Sequence, residues 1–205
     1  MNLKGRTGVF GGTFNPLHNA HLFVAHTALR QHALSQVLFV PSGIPPHKEI
    51  EDGVDKEDRY AMVSRGVAPY PRFAVSRIEI DRAGPSYTIE TIRALREVHP
   101  EGICFIVGAD LLVQIETWRE PDALLESVPF LIAPRNGILP ARFAEPPFDH
   151  AALQFLEMEP VDLSSTGVRE RVRRGEPIEQ DVPRAVVEYI HAHHLYRDRQ
   201  PVRVH

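Results

Sequence analysis

The stretch "GVFGGTFNPLHNAH", Gly8 to His21, decides how the rest of the chain is read. It opens on apolar residues, passes the glycine pair Gly11 and Gly12, and enters a helical pattern carrying His18 and His21. A strand, a glycine turn and a helix in that order make a candidate phosphate site. Glycine lets backbone approach a ligand closely, and the start of a helix offers unpaired N–H groups and a positive end. The stretch has neither the Gly-Lys-Ser/Thr of a P-loop nor the spacing of the dinucleotide fingerprint, so a plain tight turn stays open as the alternative. Residues three apart share a helix face, so both imidazoles can point toward the carboxyl end of the strand. They can be a metal pair, for which His26 is a poor third ligand, two surface histidines, or a pair contacting phosphate. The glycine turn just before them favours the last.

Working outward, short apolar runs alternate with longer amphipathic ones. The pattern predicts strands at 6–11, 36–41, 73–80, 103–108, 130–134 and 153–158, and helices at 20–34, 55–68, 86–99, 121–128, 166–175 and 183–196. Residues 135–150, with three prolines and little periodicity, read as a surface loop. Strands and helices alternating at this spacing imply βαβ units and an open, mainly parallel sheet with helices on both faces. Such sheets bind ligands beyond the carboxyl ends of their strands.

Composition narrows the classes. The chain has 205 residues, 43% of them hydrophobic, and a net charge of −4. One domain, 1–205, with a helical C-terminal part at about 164–196, fits that length. Mild acidity argues against a nucleic-acid or membrane-surface binder. The one cysteine, Cys104, lies in an apolar run and reads as a buried thiol, so no internal disulfide is available. No run approaches a membrane span and no leader is evident. The expected setting is cytoplasmic.

Two serines and a threonine open the helix in "LSSTGVRERVRRG", residues 163–175, with Arg169 one turn inside. Capping by Ser164 or Ser165 explains the serines. Hydroxyls, free N–H groups and a guanidinium together also suit a triphosphate. Three further stretches carry candidate ligand groups: "PSGIPPHKE" (41–49), "GPSYTIETI" (84–92) and "VGADLLVQIETWRE" (107–120). They supply charge after a strand, a hydroxyl-bearing helix start, and the lone tryptophan, Trp118.

"GGTFNPLHNAH" resembles the first signature of the nucleotidyltransferase α/β phosphodiesterase superfamily, Gly-Thr-Phe-Asp-Pro followed by His-x-Gly-His. Asn15 stands where Asp is usual and Ala20 where Gly is usual. "SSTGVR" resembles the second signature, Ser-Ser-Thr-x-Ile-Arg. The combination of "PPHK", "PSYT", "VGAD", "TW" and "SSTGVRERV" resembles the nicotinate-nucleotide adenylyltransferase family. That resemblance implies a Rossmann-like sheet of the nucleotidyltransferase type and transfer of adenylyl from ATP to nicotinate mononucleotide, with Mg²⁺ accompanying ATP and no metal held by the protein itself. It implies ATP contacts at Gly11, Gly12, Thr13, Phe14, Gly108, Asp110, Ser165 and Thr166. His18, His21 and Arg169 are the implied catalytic groups. His47, Lys48, Tyr87, Thr88 and Trp118 are implied at nicotinate mononucleotide. Assembly into a homo-oligomer is compatible with it. The alternatives kept beside it are use of nicotinamide mononucleotide or phosphopantetheine, and a nucleotide-binding regulator without catalysis.

Overall fold

The computed structural model describes residues 1–46 and 54–197. Six strands form one sheet: β1 (Thr7–Gly12), β2 (Gln36–Pro41), β3 (Phe73–Val75), β4 (Ile103–Gly108), β5 (Phe130–Ala133) and β6 (Leu153–Phe155). Every pairing is parallel, in the order β3-β2-β1-β4-β5-β6. The order reverses between β1 and β4, and a crevice opens at such a reversal beyond the carboxyl ends of the strands. The glycine turn lies at this point. Gly11 and Gly12 end β1, and Gly108 ends β4.

Successive side chains of a strand point to opposite faces, and both faces here are apolar. One face carries Phe10, Phe39, Cys104, Ile106 and Leu131, covered by α1 (Asn19–Gln31), α2 (Lys56–Val67), α6 (Ser165–Arg173) and α7 (Arg184–Ala192). The other carries Val9, Leu38, Phe105, Val107, Phe130 and Ile132, covered by α3 (Thr88–Val98), α4 (Ala109–Leu112) and α5 (Pro121–Ser127). Central strands buried on both sides explain the near-continuous apolar runs of the sequence. Cys104 is fully buried, and desolvation pushes its thiol up to about 12.

Three expectations need correction. The third strand ends at Val75, not at 80, because Arg77 turns the chain: it pairs with Glu57 and Asp81, and the Asp81 N–H bonds back to the Arg77 carbonyl. The last strand ends at Phe155 rather than 158. The 135–150 segment is not simply a surface loop. It holds a 3₁₀ turn at Pro140–Ala144, and Phe143 and Phe148 pack together in the core, ring centroids 4.9 Å apart.

Candidate active site

Two cavities open at the crevice and share the wall formed by Gly11, Gly12, Thr13 and Leu111. The first, about 430 Å³, lies over β1, β2 and the start of α3. Ser42, Pro46, Glu79, Ser86, Tyr87, Thr88, Trp118 and Arg119 line it. The second, about 280 Å³, lies over β1, β4 and the start of α6. His18, Ala20, His21, Gly108, Asp110, Arg135, Ser164, Ser165 and Thr166 line it. The glycine pair is confined from behind. A Cβ on Gly12 would stand 3.0 Å from the Phe14 ring, and one on Gly11 would stand 3.2 Å from the Phe105 ring.

His18 is the N-cap residue of α1, so its partner three residues on falls directly over it. The rings stack with centroids 3.7 Å apart and 20° between planes. The His18 backbone N–H donates to Nδ1 of His21 at 3.2 Å. A neutral His21 that accepts at Nδ1 carries its proton on Nε2. Both imidazoles are held neutral. Burial, followed by the nearby Arg135 charge, lowers His18 to about 3. Burial, with the repulsion that a protonated His18 would add and the Arg135 charge, holds His21 well below the ordinary range. The pair is therefore suited to donating hydrogen bonds rather than to carrying charge. The surface reading does not fit His18, which is 2% exposed. No cluster of three metal-type side chains occurs among the described residues.

The start of α6 closes the second cavity from the opposite side. Ser164 caps the helix, accepting from the Gly167 N–H at 3.1 Å. Ser165 is thereby free for a different bond and donates to the Pro16 carbonyl at 2.9 Å. Arg169 lies beneath the wall, 1% exposed, donating to the Asn15 carbonyl at 3.0 Å and to Oγ1 of Thr166 at 3.3 Å. Through these bonds it braces the turn. The Tyr196 hydroxyl donates to Oδ1 of Asn15 at 2.7 Å, so the C-terminal segment also fastens the turn.

In the first cavity Trp118 packs edge-on against Phe105, centroids 6.4 Å apart, while presenting part of its ring to the space. Tyr87 is the N-cap residue of α3 and Thr88 its first residue. Ser86 ties this helix start to the loop after β2: its Oγ accepts from the Gly43 N–H at 3.0 Å and its N–H donates to the Ile44 carbonyl at 2.8 Å. His47 and Lys48 lie outside the described residues.

Sequence reasoning missed four polar groups. Arg59, fully buried on α2, donates to the Thr13 carbonyl at 2.9 Å and the Gly43 carbonyl at 2.8 Å, joining the glycine turn to the loop after β2. Arg135 follows β5 and pairs with Asp110 at 3.4 Å. Glu79 is 7% exposed, takes the Thr91 hydroxyl at 2.6 Å, and is raised above the usual carboxylate range by burial. Arg119 lines the first cavity beside Trp118. Only the placement of Arg119, next to the singled-out tryptophan, carried any signal in the sequence.

The strand order, the glycine turn at the reversal point and the hydroxyl-rich helix start opposite define a nucleotide-binding protein of the nucleotidyltransferase type. The cytidylyltransferase-like family model matches residues 9–171. A protein of Saccharopolyspora erythraea named "probable nicotinate-nucleotide adenylyltransferase" is 43% identical over 198 residues, spanning 96% of this chain and 92% of that protein. A Moorella thermoacetica protein of the same name is 43% identical over 209 residues, spanning 97% and 96%. The fold is similar to that of Plasmodium falciparum nicotinic acid mononucleotide adenylyltransferase complexed with NaAD, with a TM-score of 0.78, 17% identity, and coverage of 94% and 97%. The chain belongs to the cytidylyltransferase-like family, among its nicotinate-nucleotide adenylyltransferases.

Proposed function

We propose that the chain transfers the adenylyl group of ATP to nicotinate mononucleotide, giving deamido-NAD and pyrophosphate, a step of NAD biosynthesis. The observation that carries this reading is the pair of cavities meeting over one glycine turn. A reaction joining two nucleotides needs two adjoining sites with the reacting phosphates at the seam. The relatives' shared name supports the same activity.

ATP would occupy the second cavity, with Gly11, Gly12, Thr13, Phe14, Gly108, Asp110, Ser165 and Thr166 around it. Nicotinate mononucleotide would occupy the first, its ring by Tyr87, Thr88 and Trp118, with His47 and Lys48 toward its phosphate. A phosphate oxygen of the acceptor attacks the α-phosphorus of ATP in line. The bond from that phosphorus to the bridging oxygen breaks, and pyrophosphate leaves. The nucleophile is already ionised, so no strong base is required, and catalysis rests on positioning and on stabilising charge. Neutral His18 and His21 donate hydrogen bonds to the α- and β-phosphates. Arg169 holds the turn from beneath and Arg135 adds positive charge to the same wall.

A magnesium ion would enter on the ATP phosphates, where it offsets their charge. Asp110 is the carboxylate on the wall of that cavity and is paired with Arg135. Most ligands of the ion would therefore be phosphate oxygens and water. No helix among the described residues is long and apolar enough to cross a membrane. The cytoplasm, where both substrates and a reduced Cys104 would be found, is the setting this reading implies.

The test is product analysis with Mg-ATP and nicotinate mononucleotide. The reading expects deamido-NAD and pyrophosphate in equal amounts. Folded protein that binds ATP but forms neither product would point to a regulator and contradict it.

A further inference from the structure

We propose that Arg119 is the side chain by which the acceptor cavity prefers a carboxylate to a carboxamide on the pyridine ring. The inference rests on the acceptor reading above and deepens it. The two acceptors have nearly the same shape and differ in charge, so the preference must come from electrostatics.

Arg119 lies on the wall of the first cavity with Tyr87, Thr88 and Trp118. Its guanidinium stands over the Tyr87 ring at 4.6 Å, which fixes the planar group without using its N–H donors. Its ion pairs, to Glu90 at 3.6 Å and to Glu120 at 3.9 Å, are too long to be hydrogen bonds. Its donors are therefore not committed by those partners. Glu90 is shared with Arg82 at 3.8 Å, and Glu120 is held by Arg93 at 2.6 Å. Three guanidinium groups thus share two carboxylates in the network that ends at Arg119 on the cavity wall. Glu79, also on the cavity wall, lies in the field of Arg82 and Arg59. A ligand carboxylate would complete the network, whereas a carboxamide would leave it one negative charge short. The start of α3 at Tyr87 and Thr88 adds a positive helix end to the same wall.

The experiment compares kcat/KM for nicotinate mononucleotide with that for nicotinamide mononucleotide in the wild type, Arg119→Gln and Arg119→Lys. Arg119→Gln should lower the acid-to-amide ratio by about tenfold, the scale of one charge-assisted hydrogen bond. The loss should appear mainly in KM for the acid, and Arg119→Lys should restore most of the ratio. A merely structural role would lower both acceptors together and leave the ratio unmoved, which overturns the proposal. So would a wild type with no preference for the acid. A wild type that releases pyrophosphate with neither acceptor would defeat the acceptor reading itself, and the role of Arg119 with it.

Discussion

At the scale of single residues the account turns on two histidines that do not titrate near neutral pH. The stacked pair depends on the His18 N–H reaching Nδ1 of His21, which leaves Nε2 of His21 as a donor. Removing one donor aimed at developing charge typically costs about 10²–10³ in kcat. His21→Ala is expected to lose on that order in kcat with little change in KM for the acceptor; unchanged turnover would contradict its role. Neutral burial has a second consequence. His18 sits at about 3 in the fold, against the ordinary 6.5. Between those values the unfolded chain binds more protons, so stability is full above about pH 6.5 and is lost as pH falls toward 3. The slope is up to about 1.4 kcal/mol per pH unit for each such imidazole. Urea midpoints at descending pH should show this, with a shallower slope in His18→Gln. An equal slope in that variant would contradict the assignment.

At the scale of elements, the first cavity depends on three segments meeting with no room to spare. A Cβ on Gly43 would overlap the Glu79 carbonyl oxygen and stand 3.0 Å from its carbon and 3.2 Å from Oγ of Ser86. Gly43→Ala should therefore push the loop after β2 away from the Glu79 segment and disturb the Gly43–Ser86 bond. The expected result is a several-fold higher KM for the acceptor, with a loss of stability of about 1–3 kcal/mol. Chemical denaturation and acceptor titration check both. The elements themselves were largely legible. β2 and β4 fall on their expected residues because central strands buried on both faces read as unbroken apolar runs. Of the two serines offered as the cap of α6, Ser164 is the one used, whereas Asp55, read as the first residue of its helix, is the residue that caps α2. The ends of β3 and β6 were not legible, because Ile80 and Leu156 stay buried after leaving the ladder, and a buried loop carries the same apolar signal as a strand. Phe143 and Phe148 were hidden among prolines, which describe the path of the backbone and not which side chains it buries.

At the scale of the whole molecule, the site is assembled from both halves of the sheet. The first signature supplies the turn, the second closes it through Ser165 and Arg169, and Tyr196 fastens it from near the C-terminus. That Gly11, Gly12, Ser165 and Thr166 meet at the crevice was legible because they sit at a strand end or a helix start, which the sequence pattern marks. Arg59 was not. Its burial is decided by the carbonyls of Thr13 and Gly43, distant in sequence, and on α2 alone it looks like any polar residue of an amphipathic helix. Such a residue becomes visible only once the strands on either side of it are placed.

The central claim is that one reaction is divided between two cavities across the glycine turn. Steady-state kinetics on Trp118→Ala and Thr166→Ala, with both substrates varied, tests it most directly. The account predicts a crossed result: Trp118→Ala raises KM for nicotinate mononucleotide and leaves KM for ATP near the wild-type value, and Thr166→Ala does the reverse. If Trp118→Ala weakened ATP instead, or each variant raised both KM values equally, the division of the site between the two cavities would be wrong.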